Sequence, residues 1–157
     1  MHRCSRTFDL ASAEATAAMA RSLARLLAPG DTVLLTGGVG AGKTHFARAL
    51  IQSILTVPED VPSPTFTLVQ TYDTTQGPLW HADLYRVGSV HEIEELGIAD
   101  AFDTAICLIE WPDRLGDLRP DDALDISLDP GADDTDRRMQ VTGCDRTWSE
   151  RLKKWTP

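Results

Sequence analysis

A chain of 157 residues, 42% hydrophobic and 25% charged, has room for one buried core and too little length for a separate substrate domain. Its net charge of −9 repels phosphate backbones at long range, which argues against unaided binding of nucleic acid; any tRNA or DNA role would run through a partner protein. Cys4, Cys107 and Cys144 show no C-x-x-C spacing, and neither a signal peptide nor an apolar span is present, so a zinc site, a disulfide framework and a membrane role are not expected and a cytoplasmic location is.

Arg6 to Leu10 reads as a short strand, and Ser12 is placed to cap a helix in which Met19, Leu23, Leu26 and Leu27 recur at helical spacing. Pro29-Gly30 ends that helix, and Val33 to Leu35 follows as a strand buried on both faces. Next comes Gly37-Gly38-Val39-Gly40-Ala41-Gly42-Lys43-Thr44, which fits G-x-x-x-x-G-K-[ST] and leads into a helix with Phe46, Leu50, Ile51 and Ile54 on one face. Each position has a mechanical reason. Backbone N–H groups from Gly38, Val39, Gly40, Ala41 and Gly42 can curl into an anion-binding nest, and the helix behind them adds the positive end of its dipole. Lys43 supplies a point charge for the β and γ phosphates of a nucleotide, and the Thr44 hydroxyl a ligand for Mg²⁺. His45 closes this nucleotide-binding stretch as a helix-start residue with no separate role.

Two prolines keep Val61-Pro62-Ser63-Pro64-Thr65 out of regular helix. Thr65 in this stiffened loop is a candidate switch threonine for the γ-phosphate. Phe66 to Tyr72 alternates and is expected as a strand, joined by a turn at Thr74 to Pro78 to a second strand over Leu79 to Ala82, an antiparallel hairpin. Short helices are expected around His91 to Leu96 and Ala99 to Phe102. Ala105 to Ile109 is an apolar strand closed by Glu110-Trp111-Pro112, Leu124 to Leu128 and Arg138 to Val141 are late strands, and a helix begins near Thr147. Its basic residues Arg146, Arg151, Lys153 and Lys154, diluted by acids, read as a solvated face. The fold class is α/β: a single P-loop NTPase domain over residues 1–157, with a mixed parallel/antiparallel sheet flanked by helices.

Mg²⁺ on a triphosphate needs a carboxylate at the end of a neighbouring strand. Glu110, after four apolar residues, has the Walker B pattern and is read as metal ligand, directly or through water, in preference to a solvated strand-end acid; Asp83, before Leu84-Tyr85-Arg86, is read as a second metal-site acid or water-orienting group. His81 has two readings, pairing with a carboxylate or plain structural packing, and Trp111 has two, covering the site or packing in the core.

In this order, GGVGAGKT, SPTFTLV, HADLYR, EELG and LIEWP closely resemble the TsaE family of bacterial ATPases in tRNA threonylcarbamoyladenosine biosynthesis. The resemblance covers about Leu10 to Pro112; only the phosphate loop is generic. It implies ATP hydrolysis to ADP in service of the TsaD–TsaB pair, which transfers threonylcarbamoyl to the adenosine beside the anticodon of ANN-decoding tRNAs, so that tRNA is met only through the complex. By the same resemblance Lys43, Thr44, Glu110, Asp83 and Thr65 take catalytic or metal-binding roles, Thr16 lies near the nucleotide base, and Arg137 or Arg138 is a basic residue near the nucleotide. His45 stands where a second Thr is frequent and Ala82 where a bulkier residue is common. Rival readings are a small-molecule kinase, which needs an arginine-rich lid, and an adaptor that binds nucleotide without hydrolysing it. A GTPase is disfavoured because the chain contains no asparagine for an Asn-Lys-x-Asp motif.

Overall fold

The computed structural model describes residues 3–38, 42–134 and 136–157. Among these, the strands are β1 (Arg3–Leu10), β2 (Thr32–Thr36), β3 (Val69–Thr74), β4 (Gly77–Asp83), β5 (Ile106–Glu110), β6 (Leu124–Pro130) and β7 (Arg137–Cys144). Helices α1 (Ala13–Ala24), α2 (Lys43–Ile54), α3 (Val90–Glu95), α4 (Ile98–Thr104) and α5 (Asp145–Lys153), with a 3₁₀ helix at Pro112–Leu118, complete the set. All seven strands join one sheet in the order β1-β7-β6-β2-β5-β4-β3. Strand β2 is central and parallel to both β5 and β6, and β4 extends the parallel set beyond β5. Antiparallel strands finish each side, β7 and β1 past β6, β3 past β4. This is the mixed sheet flanked by helices that the sequence predicts.

Parallel strands covered on both faces read as continuous apolar runs, and β2 shows why. Val33 and Leu35 point into a core shared with Met19 and Leu23 of α1, Phe46 and Leu50 of α2, and Trp148 and Trp155. Leu34 points the other way, into a cluster with Cys107, Ile109, Ile93, Ile98 and Leu115. Burial in that second cluster pushes the Cys107 thiol up to about 12. Ser12 caps α1 as predicted, its hydroxyl accepting the Ala15 N–H at 3.0 Å. Helix α2 is capped differently: its N-cap is Gly42 at φ 103°, a left-handed conformation with no side chain to cover the first-turn N–H groups.

Three stretches differ from the sequence reading. Phe66 to Leu68 is a turn, not strand: Leu68 adopts φ 67°, its N–H bonds back to Pro64 O at 2.7 Å, and β3 starts only at Val69. Phe66 alternates correctly but is 80% exposed, with the Arg86 guanidinium 4.8 Å from its ring centre. After β5 the chain turns through Trp111 at φ 58° into a 3₁₀ helix that no apolar periodicity announces. Finally, Arg151 is not part of a solvated face. It pairs with Asp31 at 2.5 Å, donates to Leu26 O and lies over the Trp148 ring.

That last helix is packed tightly enough to make a test. A Cβ added at Gly143 on β7 would lie 2.8–3.0 Å from Trp148, whose ring is fully buried with its indole N–H on Asp122 O at 2.6 Å. The ring has nowhere to retreat. Gly143→Ala is expected to cost about 1–3 kcal/mol by overpacking, read as a lower urea midpoint at unchanged slope; an unshifted midpoint would mean that the ring yields freely.

Candidate functional site

Because β2, β4 and β5 run parallel, their carboxyl ends share one edge of the sheet. Leu35 lies opposite Glu110, and Asp83 lies opposite Glu110 on its other side. Gly42, Lys43 and Thr44, at the start of α2, therefore lie at the same cleft as both acids. Leu10 at the end of β1 pairs with Arg137 at the start of β7, which brings the beginning of α1 to the same edge. The result is a cleft of about 550 Å³ whose lining includes Thr16, Gly42, Lys43, Thr44, His45, Thr65, Asp83, Glu110 and Arg137. Ligand clefts outside the carboxyl ends of strands are a general property of open α/β sheets.

Within it the Thr44 hydroxyl donates to Glu110 Oε1 at 2.9 Å, and Glu110 Oε2 lies 2.7 Å from His81 Nε2. Glu110 is 2% and Asp83 6% exposed; Asp83 Oδ1 accepts the Tyr85 N–H at 3.0 Å. The Lys43 ammonium donates to Gly37 O at 2.6 Å and Gly38 O at 3.0 Å and lies 4.4 Å from the Trp111 ring centre. Burial lowers the Lys43 pKa, opposed by the negative charges of Glu110 and Asp83.

The remaining sequence candidates fall as follows. The Thr16 hydroxyl, buried, donates to Ser12 O at 3.3 Å, and Thr65 shares a hydrogen bond with Ser63 at 2.7 Å. His45 Nε2 lies 2.9 Å from Ala13 O, tying α2 to α1. Of the two arginine alternatives, Arg137 lines the cleft, donating to Asp134 O and Asp136 O, while Arg138 turns to Asp9 at 3.2 Å. Gly38 contributes its carbonyl to Lys43; Val39, Gly40 and Ala41 lie outside the described residues. Ala13, Tyr85 and Asp134 also line the cleft and were missed by sequence reasoning. Tyr85 sits in the D-L-Y-R cluster and packs on Trp111 with ring centres 4.8 Å apart, so Trp111 both covers the cleft and packs.

The donor set is hard oxygen: one hydroxyl and two carboxylates, beside an uncapped helix start and a buried ammonium. It suits a polyanion carrying Mg²⁺, an ion usually held by one or two carboxylates together with substrate phosphates. Among the described residues no three His, Cys, Asp or Glu side chains gather into a metal cage, as a site shared with phosphates does not need.

Comparison with known proteins gives a consistent result. The family profile "Threonylcarbamoyl adenosine biosynthesis protein TsaE" matches residues 10–139. The "tRNA threonylcarbamoyladenosine biosynthesis protein TsaE" of Rickettsia bellii is 38% identical over 133 residues, 85% of this chain and 92% of that one. The protein of the same name from Bacillus subtilis is 36% identical over 122 residues, 77% and 75% of the two chains. A crystal structure of Bacillus subtilis YdiB superposes with a TM-score of 0.76 at 26% identity, covering 98% of this chain and 96% of that one.

Proposed function

The chain belongs to the TsaE family of threonylcarbamoyl adenosine biosynthesis proteins and has the fold of a P-loop NTPase, and from that premise we propose that it binds and hydrolyses Mg-ATP in support of a TsaD–TsaB transferase. In this reading it acts in the cytoplasm, and the transferase modifies the adenosine beside the anticodon of ANN-decoding tRNAs. The observation that carries it is the meeting of Lys43, Thr44, Asp83 and Glu110 at one sheet edge.

Lys43 holds the β and γ phosphates, exchanging its loop carbonyls for phosphate oxygens, and the first-turn N–H groups of α2 add the helix dipole. Thr44 and Glu110 would hold Mg²⁺, which when bound would supply positive charge against the phosphate oxygens. Asp83, one strand over and buried, orients the attacking water or supports the metal site. Thr65 approaches the γ-phosphate from the proline-stiffened loop. Thr16 and Arg137 flank the base and sugar end of the cleft. The kinase alternative loses ground here. Arg114 donates to Val87 O, Arg119 to Asp125 and Arg138 to Asp9, leaving Arg137 as the arginine among the described lining residues, where a phosphoryl-transfer lid gathers several.

Turnover by the isolated chain should be slow, because among the described residues no lysine or arginine beyond Lys43 and Arg137 lines the cleft to meet charge developing on the γ-phosphate. Tyr85 (48% exposed), which lines the cleft, and exposed Phe66, next in the chain to lining residue Thr65, offer aromatic surface for a partner that would complete it. ATP turnover measured with and without the transferase pair tests this. A rise of about tenfold or more is expected, the effect of roughly 1.4 kcal/mol of added transition-state stabilisation; equal rates would count against partner-completed catalysis.

A further inference from the structure

Resting on the reading of Thr44 and Glu110 as the Mg²⁺ site, we infer that His81 is a positioning residue: its Nε2–H holds Glu110 Oε2 and so fixes which oxygen of the carboxylate faces Thr44. The sheet puts the two side chains together. His81 and Asp83 are two apart on β4 and share a face; Leu108 and Glu110 do the same on β5. Register pairs His81 with Leu108 and Asp83 with Glu110, so His81 and Glu110 are diagonal neighbours, a spacing that two long side chains can close. They close it at 2.7 Å, with His81 fully buried and Glu110 2% exposed.

The proton on this bond follows from what the other ring nitrogen lacks. His81 Nδ1 is buried and has no hydrogen-bond partner among the described residues. A proton on Nδ1 would strand a buried donor and set the Nε2 lone pair against a carboxylate oxygen at contact distance, two penalties at once. A proton on Nε2 removes both. His81 is therefore the donor and Glu110 the acceptor. With Oε2 so occupied, Glu110 Oε1 remains for the Thr44 hydroxyl at 2.9 Å.

Packing alone does not explain an imidazole here. An apolar ring would fill the same volume without an orphaned nitrogen, and a polar group that is buried without use weakens a core. Outer partners of this kind orient metal-binding carboxylates and set their affinity. Trp80 and Ala82, the chain neighbours of His81, face the opposite cluster and supply no substitute donor.

The test is a Mg²⁺ titration of the full chain loaded with a fluorescent ATP analogue, paired with analogue binding in EDTA, for wild type, His81→Phe and His81→Gln. Phenylalanine keeps the ring volume and removes the donor; glutamine keeps an N–H that can reach Oε2. In His81→Phe, Mg²⁺ affinity is expected to fall about 10–100-fold while metal-free binding is unchanged, and His81→Gln is expected to recover most of the loss. Equal Mg²⁺ affinity in wild type and His81→Phe, or equal weakness in the two variants, overturns the proposal. Nitrogen NMR of the wild-type His81 ring gives a reading that needs no variant to fold: the Nε2-protonated tautomer supports the proposal and the Nδ1-protonated one overturns it. A wild type without Mg²⁺-dependent nucleotide binding would sink the functional reading and this proposal together, whereas normal wild-type binding with an indifferent His81 sinks the proposal alone.

Discussion

Lys43→Ala should lower nucleotide affinity by about 100-fold or more while leaving the protein folded. Two charge-assisted contacts to phosphate, at about 1.5–3 kcal/mol each, account for a loss of that size. The second half of the expectation comes from the direction of the Lys43 pKa. Burial holds it below the ordinary lysine value, so the charged amine is disfavoured in the folded protein relative to the unfolded chain. That penalty is present in full below the lowered folded pKa and fades as pH climbs through it toward the unfolded one. Removing the amine therefore relieves the empty protein, and the variant should melt no lower than wild type at pH 7. Analogue titration alongside a thermal melt checks both halves; retained affinity, or a loss accompanied by unfolding, would remove Lys43 from the phosphate site.

A second large effect is expected far from the cleft. Trp155 is fully buried, donates its indole N–H to Met19 O at 2.8 Å and packs on Phe8 with ring centres 5.5 Å apart. Arg6 reinforces the same corner by donating to the Leu152 and Trp155 carbonyls. Truncating a ring this enclosed costs about 3–5 kcal/mol, a large part of the 5–15 kcal/mol typical of a whole domain. Trp155→Ala should thus lower Tm by roughly 6–20 °C at about 2–4 °C per kcal/mol. Met19 belongs to α1, whose first turns carry Ala13 and Thr16 into the cleft, so weakened nucleotide binding should accompany the lower Tm. Trp155→Phe keeps most of the apolar contact and should fall between. Calorimetry decides it, and a shift under about 2 °C, the scale of a surface substitution, would mean that the tail is not holding α1.

The contrast between these sites explains what could be read from sequence. The phosphate loop is local: eight consecutive residues, a strand before and a helix after, so its spacing and composition carried both the α2 boundary and the candidate residues. Glu110 was equally local, an acid closing an apolar strand. His81 was not. Its partner is 29 residues away and is reached only through the parallel pairing of β4 with β5, which no pattern within either strand encodes. Phe66 misled because alternation reports side-chain chemistry, not whether a neighbouring strand is there to pair; the backbone turns at Leu68 instead. Trp111 holds a left-handed conformation that glycine adopts more easily, and neither that nor the following 3₁₀ helix has a hydrophobic period. Arg137 and Thr16 were reached by resemblance, and it is the pairing of Leu10 with Arg137 that brings their elements to one edge.

The pairing of β1 with β7 has a consequence for how the protein is made. Arg3–Leu10 is made before its ladder partner, which emerges roughly 130 residues later, on the order of ten seconds at ordinary translation speeds. Until then that strand carries unmet amides and carbonyls, and truncation before Arg137 would leave it without its ladder partner.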